Sequence, residues 1–400
     1  MKANPKHILF LFFLCILLPP EISFNLGSIR LTPYRLMLLI LIIPLLKWLF
    51  FDSDRGWYIK LIDGLVIFNC CWSVVSLIIN AGLSQGIESG GILFVESIGS
   101  YLIARRLINN QEMFDYYIKL SMFLCVILLP LVLFEMFTRI HLIREVASTI
   151  FGGGFYNTIE PRMGFARSYG SFEHPILLGV FASTFGLLFY YSNVVKKKKT
   201  MFITAVLVSL SSLSSGGILA IALQGALLAW SKLADTLKIS SKWRKLILLL
   251  IISYLLMSLV SSSPLKFFLS KITFSQQTAY FRTIIFEYGA QNVAAHPIFG
   301  LGFSDWVRPF WMPPSVDNFW LLTAMRFGLP SLISLVAAVF ILMNLILKTN
   351  KDKISTAYII VLVSFVFAGC TVHFWNQLLV FFYFFLGLGI ALVKTEKGPV

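Results

Sequence analysis

Residue types able to do chemistry gather in three short stretches of this 400-residue chain, each beside a long apolar run. The first is Arg162-Met-Gly-Phe-Ala-Arg167-Ser-Tyr-Gly-Ser-Phe-Glu-His174-Pro175. Two arginines in a glycine-containing stretch can hold phosphate oxygens, because guanidinium presents a rigid fork of donors. His174-Pro175 reads as a helix start, with proline at the first helical position. The plainer alternative is that the arginines anchor at lipid headgroups and His174 only caps the helix. The second stretch is Tyr280-Phe281-Arg282, then Glu287 and Tyr288, then His296-Pro297-Ile-Phe-Gly300-Leu-Gly302. Arg282 and Glu287 are five apart, off the ion-pair spacing of a helix, so Arg282 could point at an anionic substrate instead. His296 before Pro297, with Gly300 and Gly302, makes a rigid turn. The third stretch is Asp317-Asn318 at a helix mouth, followed by Arg326. Either Asp317 or Asn318 is a good N-cap, and Asp317 is otherwise a candidate general base. Arg326 lies about two turns further in, on roughly the face of Asn318. An arginine at that depth is expensive unless paired or facing water, which makes it a site candidate.

The elements that must position these residues are membrane spans. Hydrophobic residues make up 58% of the chain and charged residues 13%, against about 45–50% and about 25% in an average soluble domain. A water-surrounded core cannot use that much apolar surface, so lipid must face much of it. Apolar runs fall near 7–20, 34–51, 61–79, 90–104, 115–137, 174–192, 201–214, 216–231, 245–262, 318–347, 354–371 and 377–393. They predict an all-α, polytopic bundle of about twelve spans forming one transmembrane domain over 1–400. Met1 to Pro20 has a basic start and an apolar stretch but no small-x-small cleavage site, and it reads as the first helix. Residues 201–231 read as two short crossings with Ser214-Ser215-Gly216-Gly217 as the turn, because lysine-rich flanks on both sides require an even number of crossings.

With both termini cytoplasmic, 22 of the 33 basic residues fall in cytoplasmic loops, including Lys196 to Lys199, and ten fall outside. That bias sets the orientation, and it is the better use of the formal charge of +15 than nucleic-acid binding. Two outer segments are then long, 138–173 and 263–317, and loops of that length are uncommon without a function. Within the second, 274–292 reads as an amphipathic helix lying at the membrane surface. Cys15, Cys70, Cys71, Cys125 and Cys370 all fall inside apolar runs, and no Cys/His spacing points to a metal. Asp63, Glu88, Glu96 and Glu135 are buried or interfacial carboxylates that pair with arginines or line a cavity. His373, with Trp375 and Asn376, sits in the last outer turn and reads as interfacial.

In order and sidedness the three stretches resemble the O-antigen ligase and O-antigen polymerase family of bacterial polysaccharide-assembly membrane proteins. The resemblance runs over about 90–345. It rests on Arg167-Ser-Tyr-Gly170-Ser-Phe172-Glu-His174-Pro175 and, loosely, on Ser214-Ser215-Gly216-Gly217, with Ser215 where the family commonly has arginine. It rests further on Arg282 followed by His296-Pro297-Ile-Phe-Gly300-Leu-Gly302, and on Asp317-Asn318-Phe-Trp-Leu321 followed by Gly328-Leu329. Members that ligate glycan to lipid A carry histidine where this chain has Asp317, so the resemblance leans towards polymerisation. It implies a GT-C-like bundle in the bacterial cytoplasmic (inner) membrane, with the large outer loop between spans 9 and 10 carrying the site. It implies a membrane glycosyltransferase without a cofactor or metal, joining polyprenyl-diphosphate-linked oligosaccharide units, with membrane lipid and other polysaccharide-assembly proteins as partners. Arg162, Arg167, Arg282 and Arg326 would clamp the diphosphate, helped by His174 and Asn318. Asp317, Glu287 or His296, in that order, would serve as base. A ligase acting on another acceptor and a precursor transporter are the alternatives.

Overall fold

A backbone surrounded by lipid must satisfy its own hydrogen bonds, so long apolar runs become helices. The computed structural model describes residues 4–51, 56–152, 154–155, 159–260, 276–349 and 352–394. In it the chain runs α1 (Pro5–Ile16), a hairpin of β1 (Phe24–Leu26) and β2 (Ile29–Leu31), α2 (Pro33–Phe51), α3 (Trp57–Ala81), α4 (Leu83–Leu107) and α5 (Gln111–Thr138). It continues through α6 (Leu142–Phe151), α7 (Pro175–Ser183), α8 (Gly186–Tyr191), α9 (Lys198–Ser211), α10 (Ser215–Thr236) and α11 (Lys242–Val260). The last elements are α12 (Gln276–Ala295), α13 (Phe319–Thr349), α14 (Lys353–Ala368) and α15 (Asn376–Lys394).

Among the described residues, seven helices are long and apolar enough to cross a membrane: α2, α3, α4, α5, α10, α13 and α15. The chain is therefore an all-α, multi-pass membrane protein. The expectation of about twelve spans is not met by length and composition. Helices α1 and α14 are apolar but have 12 and 16 residues. The run at 174–192 is interrupted between α7 and α8, and α9 has 14 residues. The 201–231 region is two helices, as the sequence predicts, with the break at Ser212 to Ser214. A helix does occupy the expected position near 274–292, as α12, but its apolar and polar residues are not segregated onto opposite faces; of the long segment 263–317, residues 263–275 lie outside the described residues.

Helix α15 is the central post: 89% of an 18-residue stretch of it is buried, against 28% for α2. Around it the helices form two groups. Helices α2, α3, α4 and α13 pack together on one side, and α5, α7, α8, α9, α10 and α14 on the other. Phenylalanines fill the space between them, with Phe381 against Phe181 at 4.6 Å between ring centroids and Phe384 against Phe13 at 5.2 Å. Small residues allow the closest approaches, as is usual where lipid gives helices no hydrophobic reason to associate. A Cβ on Gly387 of α15 would lie 2.4 Å from the Tyr101 carbonyl oxygen of α4, and one on Gly217 would lie 2.8 Å from the Gly179 carbonyl carbon.

Two buried polar side chains of α3 are paired with other helices. Asp63 accepts from Tyr101 Oη at 2.5 Å and faces Arg105 Nε at 3.4 Å. Asn69 donates to the Ser331 carbonyl at 2.8 Å and accepts from Tyr383 Oη at 2.6 Å. Gly387→Val should separate α15 from α4. Overpacking of this kind costs about 1–3 kcal/mol. The variant should melt several degrees below the unaltered protein in detergent, measured by intrinsic fluorescence.

Candidate functional site

Helix α13 is broken in the middle, and the break shapes the site. Gly328 has φ 80° inside the helix, followed two residues later by Pro330. A broken helix leaves carbonyls without partners, and at membrane depth each must be satisfied. The turn after α12 does this. The Leu301 N–H donates to the Met325 carbonyl at 2.7 Å and the Gly302 N–H to that of Arg326 at 2.9 Å. On the other side of the break, the Leu329 N–H reaches the Pro297 carbonyl at 2.8 Å. Helix α3 completes the set: Ser76 donates to Arg326 O at 3.1 Å and Trp72 Nε1 to Phe327 O at 3.1 Å. The glycines are needed for contact as much as for turning, since a Cβ on Gly300 would lie 2.5 Å from the Arg326 carbonyl carbon and one on Gly328 1.9 Å from Ile298 O. The His296-to-Gly302 motif is thus a docking turn. Its His296 side chain is exposed, and its carbonyl accepts from the Gly300 N–H at 3.1 Å.

Arg162, on the surface, lies within electrostatic range of both Arg167 and Arg282. Arg162 and Arg167 come from an extended stretch laid over the ends of α5 and α9. Its Ala166 N–H donates to Met136 O at 3.1 Å and its Ser168 N–H to Ser211 O at 3.1 Å. Glu135 of α5 accepts the amides of Tyr169 at 2.7 Å and Gly170 at 2.9 Å and also bonds His141. Glu135 is therefore a strap for the arginine stretch. Arg162 Nη1 donates to Leu213 O at 2.9 Å and Arg167 Nε to Ser212 O at 3.4 Å, both at the C-terminal end of α9, where cations are favoured. Arg282 comes from α12 and donates to Thr371 O at 3.3 Å, while its Nε and Nη1 are buried without hydrogen-bond partners.

Electrostatics tie these groups to Asp317 and His174. Burial pulls the Arg167 guanidinium down to about 10, with a further push from the charge of Arg162. Burial also lowers the pKa of Arg282; Asp317 opposes that shift and Arg162 adds to it. Asp317 keeps an exposed surface inside a crowded recess, where lost solvation raises its pKa and Arg282 holds the rise back. His174 is lowered to about 4 by burial, then by Arg167 and Arg162. Its Nδ1 accepts from the Ile176 N–H at 3.1 Å, so it caps α7 as a neutral ring.

Other expected site residues stand elsewhere. Asn318 caps α13, its Oδ1 accepting from the Leu321 N–H at 3.0 Å. Glu287 is exposed on α12. Arg326 lies over the Phe303 ring at 4.9 Å and lines a cavity whose wall includes none of Arg162, Arg167, Arg282 or Asp317. The same cavity is lined by Arg35, bonded to Glu96 at 2.6 Å, which the sequence did not nominate as a site residue, and by His373, Trp375 and Asn376 at the start of α15, which the sequence read as interfacial. An arginine two residues into an apolar run was the available sign for Arg35. Glu173, outside this wall, accepts from Asn376 Nδ2 at 2.5 Å and faces Arg30 Nη1 at 3.6 Å. Among the described residues no group of His, Cys, Asp or Glu is arranged to hold a metal ion.

No family model matches the chain, and comparison with the curated proteins finds no match.

Two outcomes test this geometry. Glu135→Gln removes the charge from a double amide acceptor, a loss of about 1–3 kcal/mol. Limited trypsin digestion should then cut at Arg162 and Arg167 several-fold faster. A depressed histidine pKa means the unfolded chain binds the proton more readily, so His174 lowers stability as pH falls from 6.5 towards 4. NMR of a protein labelled at histidine should show the His174 ring unprotonated at pH 5.5, and Arg167→Gln should move its titration upward.

Proposed function

We propose that the protein is a membrane glycosyltransferase that polymerises polyprenyl-diphosphate-linked oligosaccharide units at the outer face of the bacterial cytoplasmic membrane. The observation that carries this reading is that Arg162 lies within electrostatic range of both Arg167 and Arg282, with Asp317 in range of Arg282. Three guanidinium groups against one carboxylate leave two positive charges uncompensated, the complement of a diphosphate. Each guanidinium has five N–H donors, and among the described residues each forms a single bond to a protein carbonyl, which leaves donors for a ligand.

When the anomeric carbon–oxygen bond breaks, negative charge grows on the departing diphosphate. Arginines already fixed there stabilise the transition state more than the ground state. Asp317 takes the proton of the attacking acceptor hydroxyl, and the raised pKa strengthens it as a base. The lipid tail requires an apolar flank, which the exposed apolar surfaces of the spans provide. In the finer reading α1, the α7–α8 pair, α9, α11 and α14 are further spans, giving about twelve in a GT-C-like bundle. The lysine-rich end with Lys196 to Lys199 is then cytoplasmic, as are both termini.

A second reading, a transporter of polysaccharide precursors, is favoured by the broken helix α13 beside a polar cavity, since transporters bind substrates at discontinuous helices. Gel analysis of surface polysaccharide after gene deletion separates the readings. Polymerisation predicts loss of long chains with single units still attached. Complete loss of attached glycan with lipid-linked polymer accumulating indicates the ligase alternative, and units trapped on the cytoplasmic face indicate transport.

Arg282→Ala and Arg167→Ala should each lower polymer formation at least about 100-fold, the scale of losing one preorganised charge-stabilising donor, while the protein stays inserted. Full activity in both variants would remove the diphosphate clamp. The acid limb of the pH–rate profile should lie above the ordinary aspartate value of 3.8, and Asp317→Asn should abolish it.

A further inference from the structure

The turn between α14 and α15 has two faces. Thr371 bonds Arg282 on one; His373, Trp375 and Asn376 face a separate cavity of about 290 Å³ on the other. That volume is near the lower end of small-ligand pockets, about 300 Å³. The cavity lies among α3, α4, α13 and α15, with Arg35 of α2 at its rim.

Charge in the cavity is simple to assign. Arg35 is neutralised by Glu96 at 2.6 Å and is further held by Asn376 Oδ1 at 3.3 Å. Arg326 has neither a carboxylate partner nor a hydrogen bond from its guanidinium among the described residues, and its flank rests on the Phe303 ring. His373, beside it, is kept neutral by burial and by the charge of Arg326, its pKa lowered to about 3. The Nδ1 of His373 is buried without a hydrogen-bond partner. One positive charge therefore faces the cavity, and the His373 ring lines it. Around them are aromatic surfaces, Phe319 and Trp375, and the amide of Asn376.

A single uncompensated cation suits a monoanion, whereas the two uncompensated charges of the arginine cluster suit a diphosphate. A bidentate carboxylate matches the guanidinium fork. Ring faces next to scattered hydrogen-bonding groups match a pyranose, which has apolar C–H faces and polar edges. We propose that this cavity binds a sugar bearing one carboxylate, of the uronic acid type, with Arg326 as counter-ion and the rings of Phe319 and Trp375 beside the sugar. As the acceptor's site it rests on the polymerisation reading; as a binding site it rests on the cavity alone.

Isothermal titration of the purified full-length protein in detergent with methyl glucuronide and methyl glucoside tests it. The glucuronide should bind saturably and at least about ten-fold more tightly, as expected for a desolvated charge-assisted bond. Arg326→Gln should remove the difference, and Arg326→Lys should restore most of it. Ser89→Leu, on the cavity wall, should weaken glucuronide binding without altering a charge. Pyrophosphate should leave glucuronide binding unchanged, because its complement is the other cluster. Equal affinity for the two glycosides, unaltered binding in a folded Arg326→Gln, or displacement by pyrophosphate would overturn the inference. Glucuronide binding by a protein whose deletion leaves surface polysaccharide intact keeps this site and removes the polymerisation reading. Polysaccharide loss on deletion without glucuronide binding does the reverse.

Discussion

Like charges within range of one another, two of them poorly solvated, are the constraint on which the site depends. Arg162 acts on both Arg167 and Arg282, and Asp317 is the carboxylate that opposes the burial of Arg282. Burial already disfavours a guanidinium, and a second cation nearby disfavours it further. Such an arrangement persists only if the scaffold over-determines it, and it is relieved by an anion. The scaffold here fixes each arginine by a different element. The strap from Glu135 holds the Arg167 stretch, the C-terminal end of α9 attracts both Arg162 and Arg167, and α12 brings Arg282 to the Thr371 carbonyl.

Helix α12 is in turn held by the break in α13. The helix packs Ile285 into a small cluster with Trp306, Leu321, Leu322 and Met325. The turn that follows it supplies the donors that the broken helix lacks. One backbone irregularity therefore does two things. It sets the angle of the half-helix that presents Arg326 to its cavity, and it clamps the helix that carries Arg282. Irregular backbone at membrane depth is tolerated where protein surrounds it, and here α3 and the 296–302 turn surround it.

Much of this was legible along the chain, and the reasons differ by element. The break between α9 and α10 could be read because lysines flank both sides of 201–231, although it falls at Ser212 to Ser214 and not at the expected Ser214 to Gly217. The helix at 276–295 could be read from its mixed apolar and polar pattern. Arg162, Arg167, His174, Arg282 and Asp317 could be nominated by type and position, though the fold alone places them near one another. The break in α13 was missed although Gly328-Leu329-Pro330 carries the ordinary stop-and-restart signal of a glycine with positive φ followed by proline. The apolar residues on both sides masked it as one continuous span. The Arg35–Glu96 pair spans 61 positions, and no local pattern predicts which cation meets which carboxylate. His373 reads as an interfacial residue from its flanks, and only the packed turn before α15 aims it at Arg326. The span count falls short of twelve because apolar composition persists in helices too short or too interrupted to cross by length.

The two charge environments suggest a division of labour under the proposed reading: the cluster with two uncompensated cations for the leaving group, the cavity with one for the acceptor. Binding of geranyl diphosphate and geranyl monophosphate to the purified protein, followed by ³¹P NMR, tests the central claim most directly. The account predicts that the diphosphate binds at least about ten-fold more tightly, with its resonance shifted on binding, and that Arg282→Ala erases this preference. Equal affinity for the two ligands, or a preference untouched by Arg282→Ala, would contradict it.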